Sequence, residues 1–367
     1  MVSALIKQGV RAEIATTNDN GDQILDVPLN QLVKFEGVPT RFFSRYSPNI
    51  RTVREFAFSK SFKRWIDQNL DQFDLVHVHA IFSFSSTYAM LCARRKGVPY
   101  VVRPIGQLEQ WAIEQSKLRK QLYLWIIERK NLSNASMIHC TAQSEKQQAL
   151  KVLHHEGMKV IPLGLPLPEI IGDARTKLIE KYSLKAQDKI ILFLARLHPK
   201  KGLELLFEAL STIDSGWQLL IVGDGDSDYV EKLHHLVKQN ALSSKVRFTG
   251  FLDGVDKNLA LQGADLYALT SYSENFGISV LEALASDTPV MISSGVALSK
   301  EVAELNLGKV CECNVKSISD SLNEMLSESS FESGRSAVEQ YFSWNSVSRQ
   351  LIDKYREILT KGTESER

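Results

Sequence analysis

The sequence has no long hydrophobic run, and this absence excludes one class of protein at once. Although 44% of its 367 residues are hydrophobic, no stretch approaches the roughly 18 apolar residues that a membrane-spanning helix needs. The start, Met1 to Lys7, is too short and too weakly apolar for a secretion signal. Low-complexity segments and internal repeats are also lacking. We therefore expect a cytoplasmic protein with folded domains.

Cysteine is scarce as well. The four cysteines are Cys92, Cys140, Cys311 and Cys313. The C-x-C pair at 311 and 313 would place both thiols on one face of a strand, but no second Cys or His pair with zinc-binding spacing lies nearby. We expect reduced, mostly buried thiols and neither a metal site nor a redox site.

Net charge is nearly absent, at +1, but the two halves of the chain differ strongly. Residues 1–165 contain 22 Lys and Arg against 14 Asp and Glu, and residues 166–367 contain 22 against 29, so the halves carry +8 and −7. A basic half is typical of a surface that meets anionic lipid headgroups or a lipid-diphosphate substrate. The alternative is an ordinary solvated surface.

Two predicted helices in the basic half, about 52–69 and about 110–132, mix cations with aromatic residues. Helices of this kind can lie on a membrane surface with their rings at the interface. Their aromatic residues could equally belong to the core. Membrane association and a purely structural role therefore both stay open.

Apolar strand-like runs alternate with helix-like segments along the chain, which predicts an α/β fold. Prolines and glycines between 162 and 172 interrupt this alternation. We therefore predict a first domain over 1–165, a linker over 166–185 and a second domain over 186–343.

The most informative stretch is S-Y-S-E-N-F-G-I-S-V-L-E-A-L-A-S-D-T-P, from Ser271 to Pro289. It follows the apolar run 266–269, and from Ile278 its apolar residues recur at helical spacing. This pattern predicts a strand, a tight loop and the start of a helix. Unpaired backbone N–H groups at a helix start suit phosphate or sugar oxygens, and Gly277 would let a ligand come close.

Two acidic residues of this stretch could serve such a ligand. Glu274 in the loop and Glu282 on the helix are eight residues apart, which at about 100° per residue leaves them about 80° apart, so that both can face one ligand. Alternatively, Glu274 caps the helix and Glu282 is a solvated acid.

A second motif, R-L-H-P-K-K-G, follows the fully apolar run 190–195 and supplies Arg196 and Lys201. Fixed cations at the end of a buried strand can stabilise the negative charge that a leaving diphosphate gains. The alternative is a solvated basic loop.

Together these motifs resemble those of the retaining glycosyltransferases of family 4, which have the GT-B fold. The P-x-G-x-L-x-x-W pattern that begins at Pro104 is similar to that of a branch acting on bacterial surface polysaccharides. Two positions depart from the family. Asp287 stands where a glycine usually precedes Thr-Pro, and Ile105 stands where many members have a histidine.

The resemblance implies an α/β fold of two Rossmann-like domains facing across a cleft, with a final helix at 346–359 packing back onto the first domain. It implies a UDP- or GDP-sugar donor, a lipid-diphosphate or oligosaccharide acceptor, no nucleic acid, no metal and no further cofactor. The implied role is polysaccharide or lipopolysaccharide biosynthesis at the inner face of the membrane. The implied catalytic residues are Arg196, Lys201, Glu274 and Glu282; the donor-binding residues are Asn275, Phe276, Gly277, Ile278, Gly250 and Phe251; the acceptor-cleft residues are His79, Arg103 and Gly106.

In the family a first strand and a Gly-rich loop precede the helix that ends here near Gly9, and the sequence contains neither. The resemblance thus predicts a first domain without its first strand. We expect that roughly 20 or more residues precede Met1 in the functional protein, because the first strand of a doubly wound sheet has a neighbour on each side. Two alternatives stay open: a non-catalytic truncated partner subunit, and a UDP-sugar 2-epimerase of the same fold.

Overall fold

The structure, a computed structural model, describes residues 1–48, 54, 56–108, 127–214, 216–327 and 330–365. The chain forms two compact units. The first consists of Met1–Gly164 and Trp344–Arg367, and the second of Leu165–Ser343. Most of the predicted membrane-surface helix over 110–132, up to position 126, lies outside the described residues.

The first unit opens with a helix and a small mixed sheet. The elements are α1 (Val2–Lys7), β1 (Ile14–Thr17), β2 (Asp19–Asn20), β3 (Gln23–Ile24), β4 (Leu32–Phe35) and β5 (Val38–Phe43). Strand β5 pairs in parallel with β1 and antiparallel with β4. Strands β2 and β3 form a separate two-stranded ribbon.

The next elements of the first unit are α2 (Lys60–Asn69), β6 (Val76–His79), α3 (Phe84–Lys96), β7 (Tyr100–Arg103), α4 (Arg129–Ser133), β8 (Met137–Cys140), α5 (Gln143–Val152) and β9 (Met158–Val160). The four strands form a parallel sheet in the order β6-β7-β8-β9. Among the described strands none pairs with the free edge of β1 or of β6. The first strand that the resemblance implies is therefore not found in the described part of the chain.

The second unit is a doubly wound domain with strand order β12-β11-β10-β13-β14-β15, in which every pair is parallel. Because the chain reverses its winding direction between β10 and β13, the topological switch point lies between their carboxyl ends. The elements are α6 (Ala174–Tyr182), β10 (Lys189–Leu194), α7 (Leu203–Ser211), β11 (Trp217–Val222), α8 (Ser227–Gln239), β12 (Val246–Gly250), α9 (Gly254–Gly263), β13 (Leu266–Leu269), α10 (Ile278–Ala285), β14 (Val290–Ser293), α11 (Ser299–Glu304), β15 (Gly308–Cys311), α12 (Val315–Leu326) and α13 (Gly334–Ala337).

Helix α6 corrects the predicted linker, because it lies within 166–185 and yet belongs to the second unit. Its Leu178 is fully buried. A Cβ on Gly263 of α9 would lie 2.8 Å from the Cβ of Leu178, so the two helices are in close contact at this glycine. The prolines and glycines that suggested a linker all lie before this helix, between 162 and 172.

The chain returns to the first unit as α14 (Trp344–Ser365). Val347 and Leu351 of this helix are buried against Leu5 of α1 and Val101 of β7. The end of the sequence is thus part of the core of the first unit.

The structure supports the core alternative for two aromatic residues of the predicted 52–69 helix, Phe62 and Trp65. That helix begins only at Lys60, after the Ser59 cap. Phe62 is 2% exposed, and the ring of Trp65 lies 5.4 Å from that of Phe43. Phe62 and Trp65 therefore pack against the protein, whereas Phe58, just before the helix, is 36% exposed.

Several cations of the same region have acidic partners. Arg41 pairs with Glu13, Arg45 with Asp19, Arg54 with Asp22 and Lys63 with Asp67. These four cations are therefore paired with acids of the same unit, and the excess of eight positive charges over residues 1–165 is unchanged by the pairing. Nor does any helix in the described ranges have the length and apolar character needed to cross a bilayer.

Candidate active site

The loop after β10 holds the predicted cationic residues at the switch point. Leu197 N–H donates to the carbonyl of Asp224 at 2.8 Å, which ties the start of the loop to the end of β11. A short helical turn over Pro199–Lys201 follows, and its cap is Nδ1 of His198, which accepts from Lys200 N–H at 3.2 Å. The sequence therefore builds a rigid turn that ends at Lys201.

The positive charge of this turn is visible in its neighbour. The pKa of His198 lies below its ordinary value because of partial burial and then because of the cations Arg196, Lys200 and Lys201. Arg196 is exposed, and no acidic partner pairs with it among the described residues. The predicted diphosphate-binding cations thus lie together at one strand end.

The loop after β13, from Ser271 to Gly277, lies next to this turn. Tyr272 N–H donates to the Lys200 carbonyl at 2.9 Å, and Glu274 N–H donates to the Gly295 carbonyl at 2.9 Å. Gly277 has φ 82, and a Cβ there would lie 3.2 Å from Cγ1 of Val296. A backbone of this shape favours glycine, because other L residues rarely adopt a positive φ.

The two motifs meet through their side chains. Lys201 Nζ forms an ion pair with Oε2 of Glu274, and both side chains are about four-fifths buried. Glu274 therefore does not cap α10, whose N-terminal residue Gly277 has no side-chain cap hydrogen bond. Lys201 and Glu274, predicted separately from two motifs 73 residues apart, belong to one cluster.

Glu282 also has a basic partner, and sequence reasoning missed it. Lys257 Nζ on α9 lies 2.7 Å from Oε1 of Glu282 on α10. The solvated-acid alternative for Glu282 is therefore wrong. No sequence signal marked Lys257, since it is a single lysine with no spacing relation to the second glutamate.

Polar groups at the start of α10 have no partner in the described residues. The Oδ1 atom of Asn275 and the Oγ atom of Ser271 are buried without a hydrogen bond. The backbone N–H groups of Asn275 through Ile278 also lack an acceptor within the described ranges. Buried polar groups are normally paired, so this is a place where a polar ligand would satisfy donors and acceptors.

The remaining predicted donor-binding residues differ in exposure. Phe276 is buried, with 5% of its surface exposed, whereas Ile278 is 49% exposed and Phe251, after β12, is 68% exposed. Gly250 has φ 74, and its carbonyl accepts from Gly223 N–H at 2.9 Å. Strand β12 lies two strands away from β10 in the sheet.

The predicted acceptor residues lie in the first unit. His79 and Arg103 are register partners at the carboxyl ends of β6 and β7. His79 is exposed, and Arg103 has a buried Nε without a hydrogen bond.

Gly106, the third predicted acceptor residue, is held by a residue that sequence reasoning did not single out. The Gly106 N–H donates to the Glu145 carboxylate at 2.6 Å. The same carboxylate accepts from the Thr141 N–H at 2.6 Å and from the Thr141 hydroxyl at 2.8 Å. Glu145 is 1% exposed. Its carboxylate thus ties together the loops that follow β7 and β8.

Among the described residues, no group of three or more His, Cys, Asp and Glu side chains could hold a metal ion. The cysteines at 92, 140 and 311 are buried thiols, and the one at 313 is half-buried.

Two glycosyltransferase families match the two halves of the chain. Residues 1–167 match Glycosyltransferase Family 4, and residues 174–341 match Glycosyl transferases group 1. Phosphatidyl-myo-inositol mannosyltransferase of Mycobacterium leprae is 31% identical over 186 residues, which is 48% of either chain. The chain thus spans about half the length of this curated relative.

Solved structures share the fold over most of their length. Sucrose-phosphate synthase from Thermosynechococcus elongatus has a TM-score of 0.76 at 21% identity, covering 98% of this chain and 92% of that one. Alr3699/HepE of Anabaena, solved in complex with UDP and glucose, has a TM-score of 0.69 at 19% identity, covering 88% and 87%. The chain is therefore a GT-B protein whose two halves match glycosyltransferase families, Family 4 in the first half and group 1 in the second.

Proposed function

We propose that the protein is a hexosyltransferase that takes a sugar from a nucleotide diphosphate donor. One observation carries this proposal. Lys201, Glu274 and the uncapped start of α10 converge at the carboxyl ends of β10 and β13, which is where ligands bind in doubly wound sheets. A cation, a carboxylate and free N–H groups are the donor and acceptor types that a sugar diphosphate requires.

In this proposal each predicted residue has one role. Arg196 and Lys201 hold the diphosphate, Glu282 accepts hydrogen bonds from the ribose hydroxyls, and Glu274 with the Asn275 to Ile278 backbone contacts the donor sugar. Because Lys201 and Glu274 form an ion pair in the structure, the ammonium would be shared between the carboxylate and a donor phosphate oxygen.

The chemistry follows from these charges. The bond between the anomeric carbon and the diphosphate breaks, and the diphosphate leaves with the electron pair. A new bond forms to the oxygen of an acceptor hydroxyl, and the proton of that hydroxyl passes to the departing diphosphate. We propose that the new bond forms on the same face of the sugar, so that the anomeric configuration is retained. Positioned cations stabilise the leaving group, so we propose that the reaction needs no divalent metal.

The acceptor part of the proposal concerns the first unit. We propose a lipid-linked or oligosaccharide acceptor near His79, Arg103 and Gly106, in polysaccharide biosynthesis at the inner face of the membrane. The unpaired Nε of Arg103 supports an acceptor that carries hydrogen-bond acceptors. The membrane location is supported by the net charge of +8 over residues 1–165.

The test is a donor screen with the full chain. UDP- and GDP-sugars are assayed by thermal shift and by release of UDP or GDP, with and without EDTA. We expect one donor to stabilise the protein and to turn over, and EDTA to change the rate by less than about twofold.

Variants then assign the site. Lys201→Ala and Glu282→Ala should keep the fold and reduce turnover by about 100-fold or more, as loss of a charge-assisted contact to a leaving group does. Lys309→Ala is the matched control, because Lys309 forms an ion pair with Glu324 at 2.5 Å in the same unit but lies outside the candidate site. Near-normal turnover of either site variant at saturating donor would refute the assignment.

A further inference from the structure

The ion pair between Lys257 and Glu282 links two helices, α9 and α10, that both begin at the carboxyl edge of the sheet, where the candidate donor site lies. Lys257 lies on α9 and Glu282 on α10, with 2.7 Å between Nζ and Oε1. Their side chains are 29% and 20% exposed. The pair is thus neither a solvated surface bridge nor a fully buried one.

Other charges around the pair are already engaged. Asp256, the residue before Lys257, pairs with Lys181 at 2.6 Å. Lys201 pairs with Glu274. Lys257 therefore has a single carboxylate partner among the described residues, and the arrangement assigns one lysine to each of the two glutamates of the motif.

The contact with Lys257 occupies only one oxygen of Glu282. Oε1 accepts from the ammonium, whereas Oε2 has no hydrogen-bond partner in the described part of the chain. A carboxylate held at one oxygen loses most of its rotational freedom, and the second oxygen keeps a fixed direction. An acceptor that is already fixed favours recognition of a sugar diol, because the side chain loses little conformational entropy when the ligand binds.

We propose that Lys257 is a positioning residue that orients Glu282 toward the ribose hydroxyls of the bound nucleotide. This inference rests on the proposed function, and it extends that function to a residue outside the recognised motif. The competing explanation is an ordinary bridge that only holds α9 against α10. The two explanations differ in one respect: only a positioning role depends on the hydroxyl groups of the ligand.

The experiment measures nucleotide binding to the full chain by calorimetry. The ligands are UDP or GDP, whichever binds more tightly, and its 2′,3′-dideoxy analogue. The variants are Lys257→Met, Lys257→Arg and the control Lys309→Met. We expect Lys257→Met to weaken binding of the ribonucleotide by about tenfold, Lys257→Arg to stay within about threefold of wild type, and Lys309→Met to have no effect.

The dideoxy analogue separates the explanations. With this ligand the loss caused by Lys257→Met should shrink to less than about threefold, since no ribose hydroxyl remains for Glu282 to accept from. Equal losses for both ligands, or no loss for either, would overturn the positioning role while leaving the proposed function intact. If the wild-type chain bound neither UDP nor GDP, the proposed function itself would fail and this inference with it.

Discussion

The phenol oxygen of Tyr355 lies 2.6 Å from Nδ1 of His77. This contact joins the final helix to strand β6, and it is one end of a chain of hydrogen bonds. His139 Nε2 lies 2.8 Å from the carbonyl of Ile161, and its Nδ1 lies 3.4 Å from Nε2 of His77. Because the Ile161 carbonyl can only accept, we assign the proton of His139 to its Nε2, which leaves Nδ1 as an acceptor. His77 Nε2 then carries the proton that is donated to His139 Nδ1, and His77 Nδ1 accepts from the Tyr355 hydroxyl.

We expect Tyr355→Phe to lower the free energy of unfolding by about 1–3 kcal/mol, because Nδ1 of the half-buried His77 then loses its donor. Urea unfolding at pH 7.5 measures this change. Tyr341→Phe is the control and should be neutral, since that ring is 43% exposed. An unchanged unfolding midpoint for Tyr355→Phe would mean that another donor, such as water, replaces the hydroxyl.

The same chain predicts a loss of stability in acid. Burial lowers the pKa of His139 to about 4, although the hydrogen bond to Ile161 opposes this shift; the positive charge of Arg103 adds to it. Burial also lowers the pKa of His77 well below its ordinary value. Below pH 6.5, the ordinary pKa of about 6.5 lets the histidine take up a proton in the unfolded state, whereas the folded state keeps it neutral. The folded state therefore loses stability as the pH falls from about 6.5 toward the folded-state pKa. For His139 the loss by pH 5 is about 2 kcal/mol.

Urea unfolding between pH 7.5 and pH 5 checks this expectation. His139→Gln can still donate to the Ile161 carbonyl but does not titrate, so it should flatten the pH dependence. A wild-type unfolding free energy that stayed constant over this range would contradict the assignment of neutral histidines.

Gly277→Ala should destabilise the loop that leads into α10. The residue has φ 82, and an added Cβ would lie 3.2 Å from Val296 Cγ1, so strain of about 1–2 kcal/mol is expected. Gly172→Ala is the matched control, because nothing lies within 4 Å of its Cβ position. Thermal unfolding gives the stability change, and nucleotide calorimetry tests whether donor binding weakens with it; equal stability of the two variants would refute the strain argument.

A fragment of residues 165–343 should fold and bind UDP or GDP. The six-stranded sheet, both Lys–Glu pairs and the start of α10 all lie within this unit. Circular dichroism with thermal unfolding checks the fold, and calorimetry checks binding. A cooperatively folded fragment that bound neither nucleotide would show that the donor site needs residues of the first unit.

Strands that are buried on both faces were predictable to within one residue. The run at 266–269 coincides with β13 and the run at 190–195 is shifted by one residue from β10, because a parallel strand covered by helices on both faces is apolar throughout. Helix α2 was predicted too long, from about 52 rather than from Lys60. Its aromatic residues pack on the core, and composition alone does not separate such rings from those at an interface.

The site was predictable where a motif linked residue type to local geometry. Lys201 and Glu274 each stood out from their own motif, but their contact could not be read from either. Lys257 and Glu145 were missed because their partners come from other elements of the tertiary structure. Such pairs leave no periodicity or spacing in a single sequence.

The second unit has a consequence for the order in which the protein matures on the ribosome. Leu165 N–H donates to the Phe342 carbonyl at 2.8 Å, so this unit begins and ends at adjacent points and is inserted between two parts of the first. Domains generally fold as units during synthesis. The inserted unit is therefore complete before α14 emerges, and the surface of Leu5 and Val101 in the first unit stays uncovered until α14 leaves the exit tunnel.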